Sequence, residues 1–431
     1  MKRIRLTTYA ICFLPFLGLA TDTLSVEQCR TLALKNSPIQ QKKLYAESIN
    51  ALQIRNLQSN TLPRIQAGAQ ASWQSDVFGL PFSFPGSEFP VVPKDQYKLS
   101  IEVAQRIWDG GTDRILRQQR EVERAVISAQ VDVDAFSLRE VVTDLYFKAL
   151  LLQESEAVLL SSKKGLEARL RQAEAAVAGG TALRTSADQV KIQLLKTEQQ
   201  IYSTQSDHLA ILEVLAKWLG RDKADFLLII PKLEHENKSP LGKPAGVGNS
   251  EKLRPEHTLF LLQQRGLQTG KDALGLRAQP RIEAFAQGGL GRPNPFNFFE
   301  TGFEPFVLVG LRAAWSPIDW GNKRREAQVF DLQIKSIDLQ RQFFDQKLEA
   351  STFKDLADAL KWKALLTQDD AIIALQTDIL ERAEAQVRNG VMTMTDFLMQ
   401  QNLLTQAQLT KKSHEVQAAQ ALEMFRAKTG N

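Results

Sequence analysis

The chain has almost no cysteine. Its two occur at positions 12 and 29 of 431 residues, and Cys12 lies in an N-terminal segment that reads as removable. Lys2, Arg3 and Arg5 precede a short apolar run, Tyr9 to Leu19, and the small residues Gly18 and Ala20 mark a cleavage site after position 20. This predicts a secretory signal peptide over 1–20, too short to span a membrane. No lipobox-like run precedes Cys12, so no lipid anchor is expected. With Cys29 left alone, an intrachain disulfide is excluded even in an oxidising compartment. Long apolar runs are missing too. Nothing after the leader approaches 18 consecutive apolar residues, so no transmembrane helix is expected, and any membrane span must be made of strands. A charge excess is also missing. The formal +5 falls to +2 without the leader, 51 basic against 49 acidic residues, which gives no support to a nucleic-acid partner.

Catalytic patterns are absent as well. His208, His235, His257 and His414 show no metal-ligand spacing with one another or with cysteine, and each reads as a surface or packing residue. Gly266 to Asp272 has one residue too few between its glycines for a phosphate loop, ends in Asp where Ser or Thr should hold magnesium, and follows no strand. Asp369-Asp370 reads as solvated helix surface. No Ser/His/Asp or Cys/His arrangement is found. No catalytic residue, cofactor or metal site is expected, and the chain does not read as an enzyme.

What the sequence does have is a rod. Thr112 to Ala178 reads as one 67-residue helix, about 100 Å long at ~1.5 Å per residue, opening after Trp108-Asp109-Gly110-Gly111 and closing at Gly179-Gly180. Leu138, Leu145, Leu152, Leu159, Leu166 and Ala173 recur every seven residues, with Val142, Ala149, Leu170 and Val177 on the next ridge. A narrow apolar seam on a wet rod is the pattern of a coiled coil. On this stretch alone, a dimeric coiled coil or a bundle scaffold fits as well as anything else.

Around the rod the period changes. Residues 27–60 read as a helix capped by Ser25, with Pro38 kinking it or marking the start of a longer rod. Strands are expected over 64–76 and 96–107, where Ile65, Ala67, Ala69, Ala71 and Trp73, then Tyr97, Leu99, Ile101 and Val103, alternate with polar or small residues. Such strands suit a barrel with lipid outside and water inside, or a soluble amphipathic hairpin. The secretory leader and tryptophans near strand ends (Trp73, Trp108, Trp315) favour lipid. A helix over 185–219 follows, then an irregular connector, 221–252, in which Phe226 to Ile230 is expected to pack against the rods.

The chain then repeats. Ser37-Pro38 answers to Arg254-Pro255, and Pro63-Arg64-Ile65 to Pro280-Arg281-Ile282, at an offset of 217. Past the strands the offset is 210: Asp109 to Asp319, Ala173-Glu174-Ala175 to Ala383-Glu384-Ala385, Gly180 to Gly390, and Gly220 to Gly430. The seven-residue change falls in the inter-strand loop, where insertions are tolerated. A first repeat over 21–220 is thus followed by a second over 253–431, with a helix at 255–277, strands at 281–290 and 306–315, a long helix at 322–388 and a helix at 393–429. The fold class is all-α dominated with a β-barrel part, a tandem repeat of helix, β-hairpin, long helix, helix. Four strands per chain are too few to close a barrel, and open edges are forbidden in lipid. The chain must assemble, and three copies would supply twelve strands.

With these features in place the sequence resembles the TolC family of outer-membrane channels over nearly the whole mature chain. The residues that carry the resemblance are Leu24-Ser25-Val26-Glu27-Gln28-Cys29 through Asn36-Ser37-Pro38, Leu62-Pro63-Arg64-Ile65, Trp108-Asp109-Gly110-Gly111, and two tips. The tips are Gly179, Gly180, Thr181, Ala182, Leu183 and Arg184, and Asn389, Gly390, Val391, Met392 and Thr393. The resemblance implies a homotrimer in the outer membrane, a twelve-strand barrel continued by a twelve-helix tunnel through the periplasm. It implies an equatorial belt containing 221–252, tips that dock a periplasmic adaptor, and an inner-membrane pump of the RND or ABC type. The duct would serve tripartite efflux or type I secretion. Family members often carry an acid six residues after the tip glycine, which Asp396 matches; Met399 and Ser186 stand where further acids would double the ring. Asp396 would then ring the periplasmic mouth in three copies and favour cations, or it caps the returning helix, where acids are favoured anyway. Arg184 would pair across the tip, contact the adaptor or be solvated. Phe296, Phe298, Phe299, Phe303 and Phe306 would narrow the outer mouth, meet lipopolysaccharide or pack the barrel rim. The alternative from another class is a periplasmic coiled-coil scaffold or adaptor with a soluble hairpin domain, which would be extracted in the aqueous fraction.

Overall fold

The computed structural model describes residues 22–77, 91–231, 254–297 and 300–429. The expected signal peptide, most of the connector, Phe298 and Phe299 lie outside the described residues. The elements run β1 (Asp22–Leu24), α1 (Val26–Asn36), α2 (Ile39–Ser59), β2 (Arg64–Trp73), β3 (Asp95–Trp108), α3 (Thr112–Ala178), α4 (Arg184–Leu219), β4 (Phe226–Leu228), α5 (Pro255–Arg277), β5 (Arg281–Arg292), β6 (Glu304–Ala314), α6 (Asn322–Arg388) and α7 (Met394–Thr429). The single helix expected over 27–60 is two. Pro38 drives the residue before it out of helical space, and Ser37 sits at φ −71°, ψ 131°. The start of α1 is fixed by a capping box: Ser25 Oγ accepts from the Gln28 amide at 3.3 Å, and the Gln28 side chain accepts from the Ser25 amide at 2.8 Å.

Strand ends differ from the sequence expectation because pairing, not alternation, decides them. β5 runs on to Arg292 because Gly291 and Arg292 pair with Lys98 and Tyr97, and β2 stops at Trp73 opposite Asp95. The helix expected from 393 begins at Met394, since Thr393 serves as its cap, its Oγ1 accepting from the Asp396 amide at 3.2 Å.

The chain forms two compact units, divided within α3 near residue 137 and within α6 near residue 351. Of the described residues, the first holds 22–37, 137–231 and 351–429. Its larger core gathers Cys29, Val142, Tyr146, Phe147, Leu150, Leu215, Leu219 and Val416, with Phe226 and Leu228 of the connector buried in it. β1 pairs in parallel with β4, and Tyr146 clasps that pair to α3. Its hydroxyl accepts from the Ile229 amide at 3.1 Å and lies 2.6 Å from the Ile229 carbonyl and 3.0 Å from that of Leu24. Gln153 completes the clasp, exchanging two hydrogen bonds with the backbone of Leu228. Burial pushes the Cys29 thiol up to about 12, against a smaller opposing pull from Arg221, so this cysteine is an inert packing residue. A second core gathers Leu166, Ala173, Val190, Ala383, Phe397 and Leu398 near the tips. The heptad residues of α3 thus face helices of both repeats.

The other unit holds described residues 38–77, 91–136, 254–297 and 300–350. Here α5 lies against α6 through Lys271–Asp331 at 2.6 Å and Arg277–Glu326 at 2.7 Å. A Cβ on Gly270 would stand 2.9 Å from the Phe330 ring, and one on Gly266 would touch Val122. The glycines that glanced at a phosphate loop are helix-packing residues. Three of the histidines also acquire partners that spacing alone hid, while His235 lies outside the described residues. In the first unit His208 lies 3.4 Å from Glu156, and His414 Nδ1 lies 2.6 Å from Asp369 and stacks on Trp362. In the second unit His257 lies 3.4 Å from Asp345. Asp369 is therefore buried and paired, not solvated; only Asp370, bridged to Lys411 at 2.7 Å, stands in water.

The second unit also contains a four-stranded antiparallel sheet in the order β2-β3-β5-β6. The two hairpins of the repeat are joined through β3 and β5 into one open sheet, with β2 and β6 at its edges.

Candidate pore wall and tip loops

Register decides which residues share a face of this sheet, because side chains alternate with period two. Ile65, Ala67, Ala69 and Ala71 of β2 stand opposite Val103, Ile101, Leu99 and Tyr97 of β3. The last three and Val103 stand opposite Gly288, Leu290, Arg292 and Ala286 of β5. β6 continues the row with Pro305, Val307, Val309, Leu311 and Ala313. One face is therefore apolar across the middle of all four strands, with Gln105 near the helix end and the Arg292–Asp95 ion pair, 3.1 Å, at the loop end. It is also uncovered: Ile65 is 73 % exposed, Val307 77 % and Leu311 71 %. A bulge between Arg106 and Trp108 sets Trp108 opposite Ile282, on the same row.

The other face is wet. It carries Gln66, Gln70 and Ser72, then Lys98, Ser100 and Glu102, then Glu283 and Gln287, then Glu304 and Arg312, with Phe285, Phe306 and Leu308 among them. Arg312 bridges Glu283 at 3.2 Å and Glu102 at 3.6 Å, linking three strands. Gln287 donates to Ser100 Oγ at 3.3 Å. Exposed aromatics mark both ends, Trp73, Tyr97 and Phe303 at the loop end, Trp108, Trp315 and Trp320 at the helix end. Aromatics concentrate at such levels where a barrel meets both membrane interfaces.

The corners joining strand to long helix are built twice. Asp109 accepts from the amides of Gly111 at 2.8 Å and Asp113 at 2.7 Å; Asp319 accepts from those of Gly321 at 3.0 Å and Lys323 at 2.9 Å. Gly110 has φ +67° and its counterpart Trp320 φ +52°. Glycine is required at the first because a Cβ would stand 2.5 Å from that of Gln279. For Asp109, burial pushes the carboxyl upward, but the two amides and Arg106 outweigh it. For Asp319, the Lys323 and Gly321 amides hold the carboxyl low. Both folded values lie below the ordinary 3.8, so their stabilisation is complete above that pH and is lost as the pH falls through the lower folded values. We predict that the extracted protein melts at lower temperature on acidification below about pH 4, and that Asp109→Asn with Asp319→Asn flattens this dependence. Unchanged pH dependence in the double variant would contradict it. Asp109→Ala is expected to cost about 1 kcal/mol as a lost helix cap.

The tips also match. Thr181 and Val391 donate to the carbonyls of Ala176 and Gln386, both at 2.9 Å, while Gly180 and Gly390 donate to those of Val177 and Val387. These are the paired bonds of a Schellman C-cap, which requires left-handed backbone at its glycine. Gly180 has φ +72° and Gly390 φ +70°. A Cβ on either would meet nothing within 4 Å, so conformation alone demands glycine. The structure places Leu183 and Val391 outward, 75 % and 77 % exposed. Thr181, Arg184, Asn389 and Thr393 are exposed, and Ala182 is half-buried. Met392 packs against the tip core. Asp396 is exposed and bonded to Thr393 Oγ1 at 2.7 Å, completing a cap that the first repeat, with Leu183 and Ser186 at these places, lacks. Arg169 was not singled out by any motif, yet it joins the repeats here. Its guanidinium lies 4.3 Å from the centre of the Phe397 ring and 3.2 Å from Glu384.

Among the described residues no helix is long and apolar enough to cross a membrane, and no cluster of His, Cys, Asp and Glu fits a metal. No family model matches the chain, and no curated protein matches it in sequence. Solved structures do match, over 94 % of the chain. The outer-membrane protein VceC of Vibrio cholerae aligns over 96 % of its own length, with TM-score 0.68 and 12 % identity. The CmeC outer-membrane channel of Campylobacter jejuni aligns over 85 %, with TM-score 0.69 and 14 % identity. The open state of the MtrE outer-membrane channel of Neisseria gonorrhoeae aligns over 88 %, with TM-score 0.66 and 16 % identity. The chain has the fold of these channels.

Proposed function

We propose, from a fold shared with TolC-like outer-membrane channels, that this chain is one third of a passive, gated duct in the outer membrane that extends into the periplasm. One observation carries the reading. Two hairpins far apart in the chain, the first ending at Trp108 and the second beginning at Arg281, form a single sheet, largely apolar on one uncovered face and ion-paired on the other. A soluble hairpin domain would cover such a face; lipid on one side and water on the other suit both. Strands of 10 to 14 residues tilted by roughly 45° cover the hydrocarbon thickness.

Assembly follows from the edges. Among the described residues β2 and β6 each have one unpaired edge, and lipid tolerates none. Three copies closing β6 of one onto β2 of the next make a twelve-strand barrel. The helices also present second seams. In α4, Leu195, Tyr202 and Leu209 recur every seven residues and are 51 %, 75 % and 58 % exposed, on a flank roughly 100° round the helix from buried Val190, Ile201 and Leu212. In α6, Leu332 and Leu339 repeat the spacing, 65 % and 64 % exposed. A coiled-coil seam without a partner in its own chain is supplied by another copy, making the twelve-helix tunnel.

The energy for export then comes from partners: a periplasmic adaptor docking at residues 179–184 and 389–393, and an inner-membrane pump. In the trimer, Asp396 rings the mouth while Thr393 fixes its rotamer. Reconstitution in planar bilayers tests the reading. The protein should give steady ohmic pores, and Asp396→Ala should lower cation over anion selectivity by about two-fold or more, as loss of a charged ring does. Pores with unaltered selectivity would remove Asp396 from the conduction path; no pores at all would overturn the duct.

A further inference from the structure

The loop end of the sheet is not open on its wet face. Gly291 stands there opposite Lys98, and a Cβ on it would lie 2.7 Å from Pro295 Cδ and 3.0 Å from the Pro293 carbonyl oxygen. The β5–β6 connection therefore doubles back across this face instead of projecting away from it. Asn294 holds the fold: its side-chain oxygen accepts from the Phe296 amide at 3.0 Å, and its amide donates to the Glu300 carbonyl at 3.2 Å. The Phe296 ring meets Phe306 edge to face at 5.7 Å, and Lys98 Nζ lies 5.3 Å from the centre of the Phe306 ring.

Phe306 is left only 5 % exposed, on a face that is mainly polar and ion-paired and whose other large apolar side chains, Phe285 and Leu308, stand further from the loop, while Phe296 above it remains 55 % exposed. Beside this cluster is a cavity of about 290 Å³ between Pro293, Pro295 and the side chains of Gln70, Ser72 and Gln96. An apolar lump built onto a wet wall takes up cross-section.

We infer that residues 293–297 form a second constriction, inside the duct at its outer end, and that Phe296 and Lys98 determine which solutes leave. This rests on the duct reading, since only closure of the barrel makes the wet face a lumen. Three copies then bring three Phe296 rings and three Lys98 ammonium groups towards one axis. The ring of cations favours anionic or neutral solutes at the exit, opposite in sign to the Asp396 ring. Lys98 holds that position by a cation–π contact that needs no carboxylate partner.

The test uses full-length trimers in planar bilayers carrying Phe296→Cys or, as reference, Val309→Cys on the lipid-facing row; Cys29 is buried and does not compete. A bulky cationic thiol reagent is added from the outer side, with labelling verified by mass. Conductance of the Phe296→Cys pore should fall by about two-fold or more, as narrowing at a constriction requires, and that of Val309→Cys should stay the same. In an independent reading, Phe296→Ala should raise the unlabelled conductance. Labelled Phe296→Cys pores with unchanged conductance, or no rise for Phe296→Ala, would place the loop outside the conduction path and overturn the inference while the duct stands. Failure of the unmodified protein to conduct would overturn both.

Discussion

Replacing Tyr202 and Leu209 together by glutamate is expected to abolish the proposed trimer while leaving the single chain folded. Both side chains point away from the protein's own core, at 75 % and 58 % exposure, so neither contributes much within the chain. Val190, Ile201, Leu212 and Leu215 on the buried flank of α4 hold it to its neighbours. Burying a side chain of this kind against a second copy contributes about 1.5–3 kcal/mol, and a buried glutamate would add a desolvation penalty instead. Three symmetric interfaces multiply the effect. The yield of detergent-extracted trimer should fall at least about ten-fold, equivalent to some 1.4 kcal/mol per decade, with helical circular dichroism retained. Full trimer yield would show that this seam faces water.

The second large effect concerns the fold of one chain. Tyr146 is fully buried, and its hydroxyl serves the backbone of Ile229 and Leu24 together. Burial pushes that hydroxyl well above its ordinary range, so it stays a neutral donor at every working pH. Tyr146→Phe keeps the ring but strands the Ile229 amide and a carbonyl, which costs about 1–3 kcal/mol. Tyr146→Ala adds a cavity beside Phe147 and Leu215 and should cost about 3–5 kcal/mol. Thermal melts of the extracted protein would rank wild type, Phe and Ala in that order. A Phe variant as stable as wild type would mean that water replaces the hydroxyl.

Regular spacing reveals elements: the seven-residue repeat of α3, the alternation of β2 and β3, and the offset that pairs Gly180 with Gly390 are all local or periodic signals. Long-range partners leave no such trace. Nothing periodic announces that β3 pairs with β5, that Gln153 mimics a strand for Leu228, or that Asp369 meets His414. Register is set by matching apolar rows between segments far apart, and only three-dimensional proximity displays it. Asp396 lies between these cases: the family resemblance singled it out by its distance from Gly390, but its bond to Thr393 shows the cap as a present role and leaves the pore role to experiment. Pro38 was legible as a break; that the break makes two helices depended on Ser37 adopting extended backbone.

Native mass spectrometry of the protein extracted in detergent from the outer-membrane fraction decides whether these hairpins line a shared barrel. Three copies of the mature chain in one complex, with no free subunit in the aqueous extract, is the expected result. A monomer or dimer released into the aqueous periplasmic fraction would contradict it, and would return the sheet to a soluble domain.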